Sequence, residues 1–180
     1  MMIGYNTDYF GFKSMLEIYD IEIKNKGAVI LGGGGASKAV ASCLIDNGIK
    51  EIVLVSRDKE SASTKFRGIR CIDYFELQKL SNLDYIINCT PVGMYPNIDN
   101  SPVDKNILQN YSVAVDLIYN PTKTLFLKWA EELNLKAVNG LYMLIAQAIK
   151  AQEIWNGCSV DKKIIKDIYD IVFNIINTGT

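Results

Sequence analysis

The 180-residue sequence contains no histidine. That absence excludes Ser-His-Asp and Cys-His catalysis, histidine metal ligation and a histidine proton shuttle, and leaves acid–base work to Asp, Glu, Lys or Tyr. The cysteines Cys43, Cys71, Cys89 and Cys158 include no CxxC pair of the kind that binds zinc or forms a redox dithiol. No metal is expected, and because three of the four cysteines sit in apolar stretches, buried free thiols in a reducing compartment are expected instead of disulfides. No apolar run approaches the roughly 20 residues of a membrane span. The start Met1-Met2-Ile3-Gly4-Tyr5 lacks the basic and apolar regions of a signal peptide, so the expected location is cytoplasmic. Nor does either charge dominate: 19 basic against 20 acidic residues leave a net charge of −1, which gives no general attraction to nucleic acid or to an anionic membrane. Small-molecule partners remain.

What is present is the make-up of an ordinary globular chain of about one to one and a half domains. Ala28-Val29-Ile30-Leu31 is a short apolar run closed by Gly32-Gly33-Gly34-Gly35, and small and apolar residues at helical spacing follow from Ala36 to Leu44. The pattern predicts strand, glycine turn, helix. Ile52-Val53-Leu54-Val55 completes a βαβ unit after the helix stop Asn47-Gly48. Further strands are predicted at Cys71-Ile72 (weak), 85–88, 113–116 and 136–138, and helices at 74–80, 124–133 and 141–155. Such alternation predicts an α/β fold: a doubly wound, mostly parallel Rossmann-type sheet, because parallel strands need crossover connections.

Two helices flank this unit, one from Asp8 to Tyr19 capped by Asn6 or Thr7, the other from Asp161 to Ile176. The expected organisation is a linking helix over 1–20, a dinucleotide-binding domain over 21–158, and a C-terminal helix over 159–180. In the last, Ile164, Ile165, Ile168, Ile171, Val172, Ile175 and Ile176 form an apolar stripe widened by Tyr169 and Phe173. That stripe fits either a groove of the same domain or the face of a second one.

Gly32-x-Gly34-x-x-Ser37 stands where a dinucleotide fingerprint belongs, after the first strand and at the start of the first helix of the βαβ unit. Gly32 permits the tight turn, Gly34 lets backbone approach a pyrophosphate, and the small Ser37 allows close helix packing, while the helix N-terminus attracts phosphate. At the end of the second strand stand Ser56-Arg57-Asp58. An arginine there accommodates the 2′-phosphate of NADP through its planar fork, so NADP is expected over NAD. Asp58 either caps the next helix or points into the pocket and repels that phosphate. The loops 88–94 and 116–121 leave the ends of later strands, the edge where open α/β sheets bind ligands, although their prolines and glycines also suit ordinary turns.

Taken together, Gly4-Tyr5-Asn6-Thr7-Asp8 with Gly11-Phe12, the glycine turn, Asn88-Cys89-Thr90-Pro91-Val92-Gly93-Met94, Asp116-Leu117-Ile118-Tyr119-Asn120-Pro121 and Asn139-Gly140-Leu141-Tyr142-Met143-Leu144-Ile145-Ala146-Gln147 resemble the shikimate dehydrogenase family. The resemblance runs from Gly4 to the C-terminus. It implies reversible NADPH-dependent reduction of 3-dehydroshikimate to shikimate, a step toward chorismate and the aromatic amino acids. It also implies that Asp8 is catalytic and binds substrate, that Tyr119 and Gln147 contact substrate, and that Gly32, Gly33, Gly34, Gly35, Ala36, Ser56, Arg57, Leu117 and Gly140 contact the cofactor. Leu117 and Gly140 are implied to flank the nicotinamide. Where the family commonly reads Asn-Arg-Thr, this chain has Ser56-Arg57-Asp58. Quinate as substrate, NAD as cofactor, or a non-catalytic NADP-binding module are the competing readings. Family members carry a substrate domain ahead of the Gly4–Asp8 motif that supplies a catalytic lysine, and Lys13 matches no family position. The expectation is therefore impaired activity for this chain alone, with a homodimer or a complementing substrate domain as partner.

Overall fold

Residues 4–178 are described by a computed structural model. Met1, Met2, Ile3, Gly179 and Thr180 lie outside the described residues, and so does that part of the reading of the chain start. The described residues form α1 (Thr7–Ile18), β1 (Gly27–Leu31), α2 (Gly35–Asp46), β2 (Glu51–Val55), α3 (Lys59–Lys65), β3 (Arg70–Ile72) and α4 (Tyr74–Leu77), followed by β4 (Tyr85–Asn88), α5 (Lys105–Leu108), β5 (Val113–Asp116), α6 (Leu125–Glu132), β6 (Lys136–Val138), α7 (Leu141–Asn156) and α8 (Lys162–Thr178). The strands make one sheet in the order β3-β2-β1-β4-β5-β6, every pair parallel.

That order reverses direction between β1 and β4, which is the switch point of a doubly wound sheet. Both faces are covered, so the central strands are apolar without alternation: β1, β4 and β5 are buried at every position. Ala28, Ile30, Ile87 and Val115 face a core shared with α1, α2, α7 and Ile165 of α8. Val29, Leu31, Ile86 and Ala114 face a second core with Leu77 of α4, Leu108 of α5 and Phe126 of α6.

The flanking helix α1 belongs to the first of these layers. Asn6, the first of its two expected caps, accepts the N–H of Tyr9 at 3.1 Å, and Phe12, Met15 and Leu16 enter the core. Gly11 permits the close approach of α7, because a β-carbon there would stand 2.6 Å from the carbonyl oxygen of Met143. The apolar stripe of α8 divides. Ile165 is buried and Ile168, Tyr169, Val172 and Ile176 pack against the core, whereas Ile164, Ile171 and Ile175 are exposed.

One sequence expectation needs correction. The helix expected over 74–80 ends at Leu77, because its four residues are held by a capping box between Asp73 and Glu76 and little apolar surface follows to extend it. The short α5 had no sequence signal, since four residues carry no helical period. Among the described residues no helix is long and apolar enough to cross a membrane.

Candidate functional site

The pairing of Leu31 with Asn88 brings the turn after β1 beside the loop after β4. Gly32 adopts φ +98°, a conformation open to glycine at little cost. A β-carbon there would also stand 2.8 Å from Cγ2 of Thr90. Gly34 and Gly35 have nothing within 4 Å of where a β-carbon would lie, so their backbone is open to an approaching group. Gly34 caps α2 without any side-chain hydrogen bond, which leaves the first amides of the helix available to an anion. The fully buried Ser37 does more than stay small: its hydroxyl donates to the carbonyl oxygen of Gly32 at 2.7 Å and ties the helix to the turn.

A cleft of about 590 Å³ opens over this turn, lined by Gly32, Gly33, Gly34, Ser56, Arg57 and Tyr74 together with Thr90, Pro91, Ser101 and Pro102. Arg57 is exposed and has no ion pair among the described residues. Asp58 turns away: its carboxylate accepts the N–H of Ser61 at 2.9 Å and caps α3. Of the two roles open to it, capping is the one observed. Tyr74 was not foreseen, although it stands just past the end of β3, on the edge where ligands bind. Burial pushes its hydroxyl above the ordinary tyrosine range, opposed by the neighbouring Arg57 charge. Ser101 and Pro102 reach the cleft from a long loop that carries no local signal.

An adjoining cavity of about 400 Å³ shares Cys89, Thr90 and Pro91 with the first and is otherwise lined by Ala36, Met94, Tyr95, Leu117, Ile118, Tyr119 and Asn120. Gly140 lies behind it. Its N–H donates to Ile118 at 3.0 Å and its backbone presses on Leu117. Beneath both cavities three fully buried polar side chains meet. The carboxylate of Asp116 accepts the Thr124 hydroxyl at 2.6 Å, the Asn88 amide at 3.0 Å and the Ile118 N–H at 3.1 Å. Burial raises the Asp116 carboxyl to about 7, and those three donors restrain the rise.

Asp8 and Gln147 line neither cavity. Asp8 is half-buried in the first turn of α1 and has no ion pair or side-chain hydrogen bond among the described residues. Gln147 is half-buried on α7 against α1, with its Cβ 3.1 Å from the β-carbon position of Gly11, one turn along from Asp8. No hydrogen bond joins either residue to Tyr119. Lys13 lines a separate recess with Leu16, Ile21 and Asn47, toward α2. A further cavity of about 620 Å³ lies between α1, α7 and α8, among Phe10, Tyr142, Lys150, Glu153 and Lys166, away from the glycine turn.

No protein-family model matches the chain. The shikimate dehydrogenase (NADP(+)) of Clostridium perfringens is 47% identical over 169 residues, which are 93% of this chain and 62% of that protein. The crystal structure of a chorismate mutase/shikimate 5-dehydrogenase fusion protein from Clostridium acetobutylicum superposes with a TM-score of 0.94 at 50% identity, covering 97% of this chain and 64% of the other. Shikimate 5-dehydrogenase from Thermus thermophilus, solved with NADP(H) and shikimate, gives 0.79 at 32% identity, covering 93% and 62%. Over nearly its whole length the chain is thus similar to shikimate dehydrogenases in sequence and in fold. It spans about three fifths of the length of the curated relatives it matches.

Proposed function

We propose that this homologue of the shikimate dehydrogenases is the cofactor-binding part of an oxidoreductase that reversibly reduces 3-dehydroshikimate to shikimate with NADPH. The observation that carries the reading is the cleft at the switch point, where an open glycine turn, the free amides of α2 and an unpaired Arg57 converge. The residues fit a dinucleotide. Gly32, Gly33 and Gly34 with Gly35 and Ala36 would receive the pyrophosphate at the start of α2, and Ser56 and Arg57 the adenosine ribose with its 2′-phosphate. Leu117, supported by Gly140, would bound the nicotinamide end. That group supplies a hydride when bound.

NADP is favoured over NAD because Asp58 is occupied in capping α3 and so puts no charge against a 2′-phosphate. On the substrate side, Tyr119 stands at the rim of the second cavity, 42% exposed, while Asp8 and Gln147 share the α1–α7 seam. Asp8 would bind a substrate hydroxyl and exchange its proton. No histidine can do this in its place. A proton-transfer group of this kind typically contributes about 10²–10⁴-fold, and Lys13 faces the wrong way to assist. By the resemblance to the family, full turnover would use a lysine supplied by a substrate domain, either on the same polypeptide or as a partner, and the exposed edge of α8 offers a surface for such a partner or for a second copy.

The test is to titrate NADPH and NADH against the purified chain and, on the same sample, to follow shikimate- and quinate-dependent reduction of NADP and NAD. Tight NADPH binding with little or no turnover supports the reading. Failure to bind NADPH removes it, and turnover at ordinary rates with NAD alone would replace the cofactor assignment.

A further inference from the structure

We propose that the buried Asp116 carboxylate, held between Asn88 and Thr124, is a positioning residue that fixes the Leu117–Tyr119 segment beside the dinucleotide cleft, an inference that rests on the function just proposed. A carboxylate 0% exposed is costly to bury and is tolerated only when it is fully hydrogen-bonded. Filling space between β5 and α6 requires no charge. What the carboxylate does that an apolar residue cannot is accept from three directions at once, and each donor belongs to a different structural unit.

Oδ1 accepts the N–H of Ile118 at 3.1 Å, in the segment that walls the second cavity. The same oxygen accepts the Asn88 amide at 3.0 Å, at the end of β4. Asn88 in turn accepts the N–H of Thr90 at 2.9 Å and its hydroxyl at 2.7 Å, and Thr90 lies on the wall shared by both cavities. Oδ2 accepts the hydroxyl of Thr124 at 2.6 Å, and that hydroxyl also caps α6 by accepting the N–H of Leu127. The last link is Gly140, whose N–H donates to the Ile118 carbonyl on the opposite side of the same peptide segment. One acid thus orders the loops after β4 and β5 without touching either cavity. The adenosine side is built chiefly from the turn after β1 and the end of β2, and meets this network only through Thr90.

This separation makes the inference testable by binding alone. In the wild-type chain, NADPH and 2′,5′-ADP are titrated in parallel; the second ligand carries the adenosine and its 2′-phosphate but no nicotinamide. Thr124→Val keeps the side-chain shape and removes the donor to Asp116. The expected result is a loss of about tenfold in NADPH affinity with 2′,5′-ADP changed by less than about twofold. Thr124→Ser, which retains the hydroxyl, is expected to restore NADPH binding. Should Thr124→Val not fold, Asp116→Asn, of the same shape without the charge, is read by the same ratio. Equal losses for both ligands, or no loss, overturn the inference while leaving the proposed function standing. A wild-type chain that binds neither ligand overturns the proposed function and this inference with it.

Discussion

Gly140 and Leu117 are in backbone contact so close that no side chain fits between them: a β-carbon on Gly140 would lie 2.0 Å from the Leu117 carbonyl oxygen and 2.4 Å from its carbonyl carbon. Backbone cannot rotate aside as a flexible side chain does. Gly140→Ala is therefore expected to force β5's exit loop and the start of α7 apart. A loss of about 2–4 kcal/mol in unfolding free energy, measured by urea denaturation, should accompany weakened NADPH binding.

Gly34 presents the opposite case. Its φ is −86° and nothing stands within 4 Å of a β-carbon, so Gly34→Ala should leave the fold intact, with stability within about 1 kcal/mol of wild type. The added methyl would project into the space proposed for a pyrophosphate. NADPH affinity is expected to fall about tenfold or more, a separation of binding from stability that calorimetric titration beside thermal melting would read directly.

Arg57 has no acidic partner to lose among the described residues, so its removal should leave the melting temperature unchanged. Arg57→Ala is expected to weaken NADPH by about tenfold or more, the worth of a charge-assisted pair with phosphate, and to leave NADH nearly unaffected. Comparable losses for the two cofactors would remove the 2′-phosphate assignment.

Two aspartates give stability opposite pH slopes. The N–H of Gly27 holds the Asp84 carboxyl below its usual range, against some desolvation and with help from Lys26. A depressed pKa adds stability that is present above the unfolded value of about 3.9 and is lost as pH falls through the folded one. Burial instead raises Asp116 to about 7, so the folded state binds the extra proton and this group's contribution declines as pH rises from about 4 toward 7. Asp116→Asn should flatten that decline and Asp84→Asn should flatten the acid limb, in urea melts taken at intervals across the range.

Much of the scaffold was legible because its signals are local. Tyr85-Ile86-Ile87-Asn88, Val113–Asp116 and Lys136–Val138 were bounded as the structure has them, since each is a short apolar run between polar turns. The glycine turn was legible for the same reason. Residues whose roles depend on distant partners were not. Asp116 stood within a noted loop motif, yet its role depends on Asn88 and Thr124, 28 and 8 residues away. Tyr74, Ser101 and Pro102 come together at the cleft only after β3 and the loop before α5 are in place. The stripe on α8 was visible as a stripe. Its division into a packed edge and a bare one depends on where α1 and α7 leave a groove.

The hydroxyl of Ser37 occupies the carbonyl of Gly32 before any ligand arrives. Four consecutive glycines would otherwise form the floppiest stretch of the chain, and a ligand would have to freeze them at its own entropic cost. With the turn latched at its first glycine, part of that ordering is completed during folding. The amides at the start of α2 are then held in place ahead of the proposed dinucleotide, whose affinity is expected to depend on what it touches rather than on what it must first immobilise.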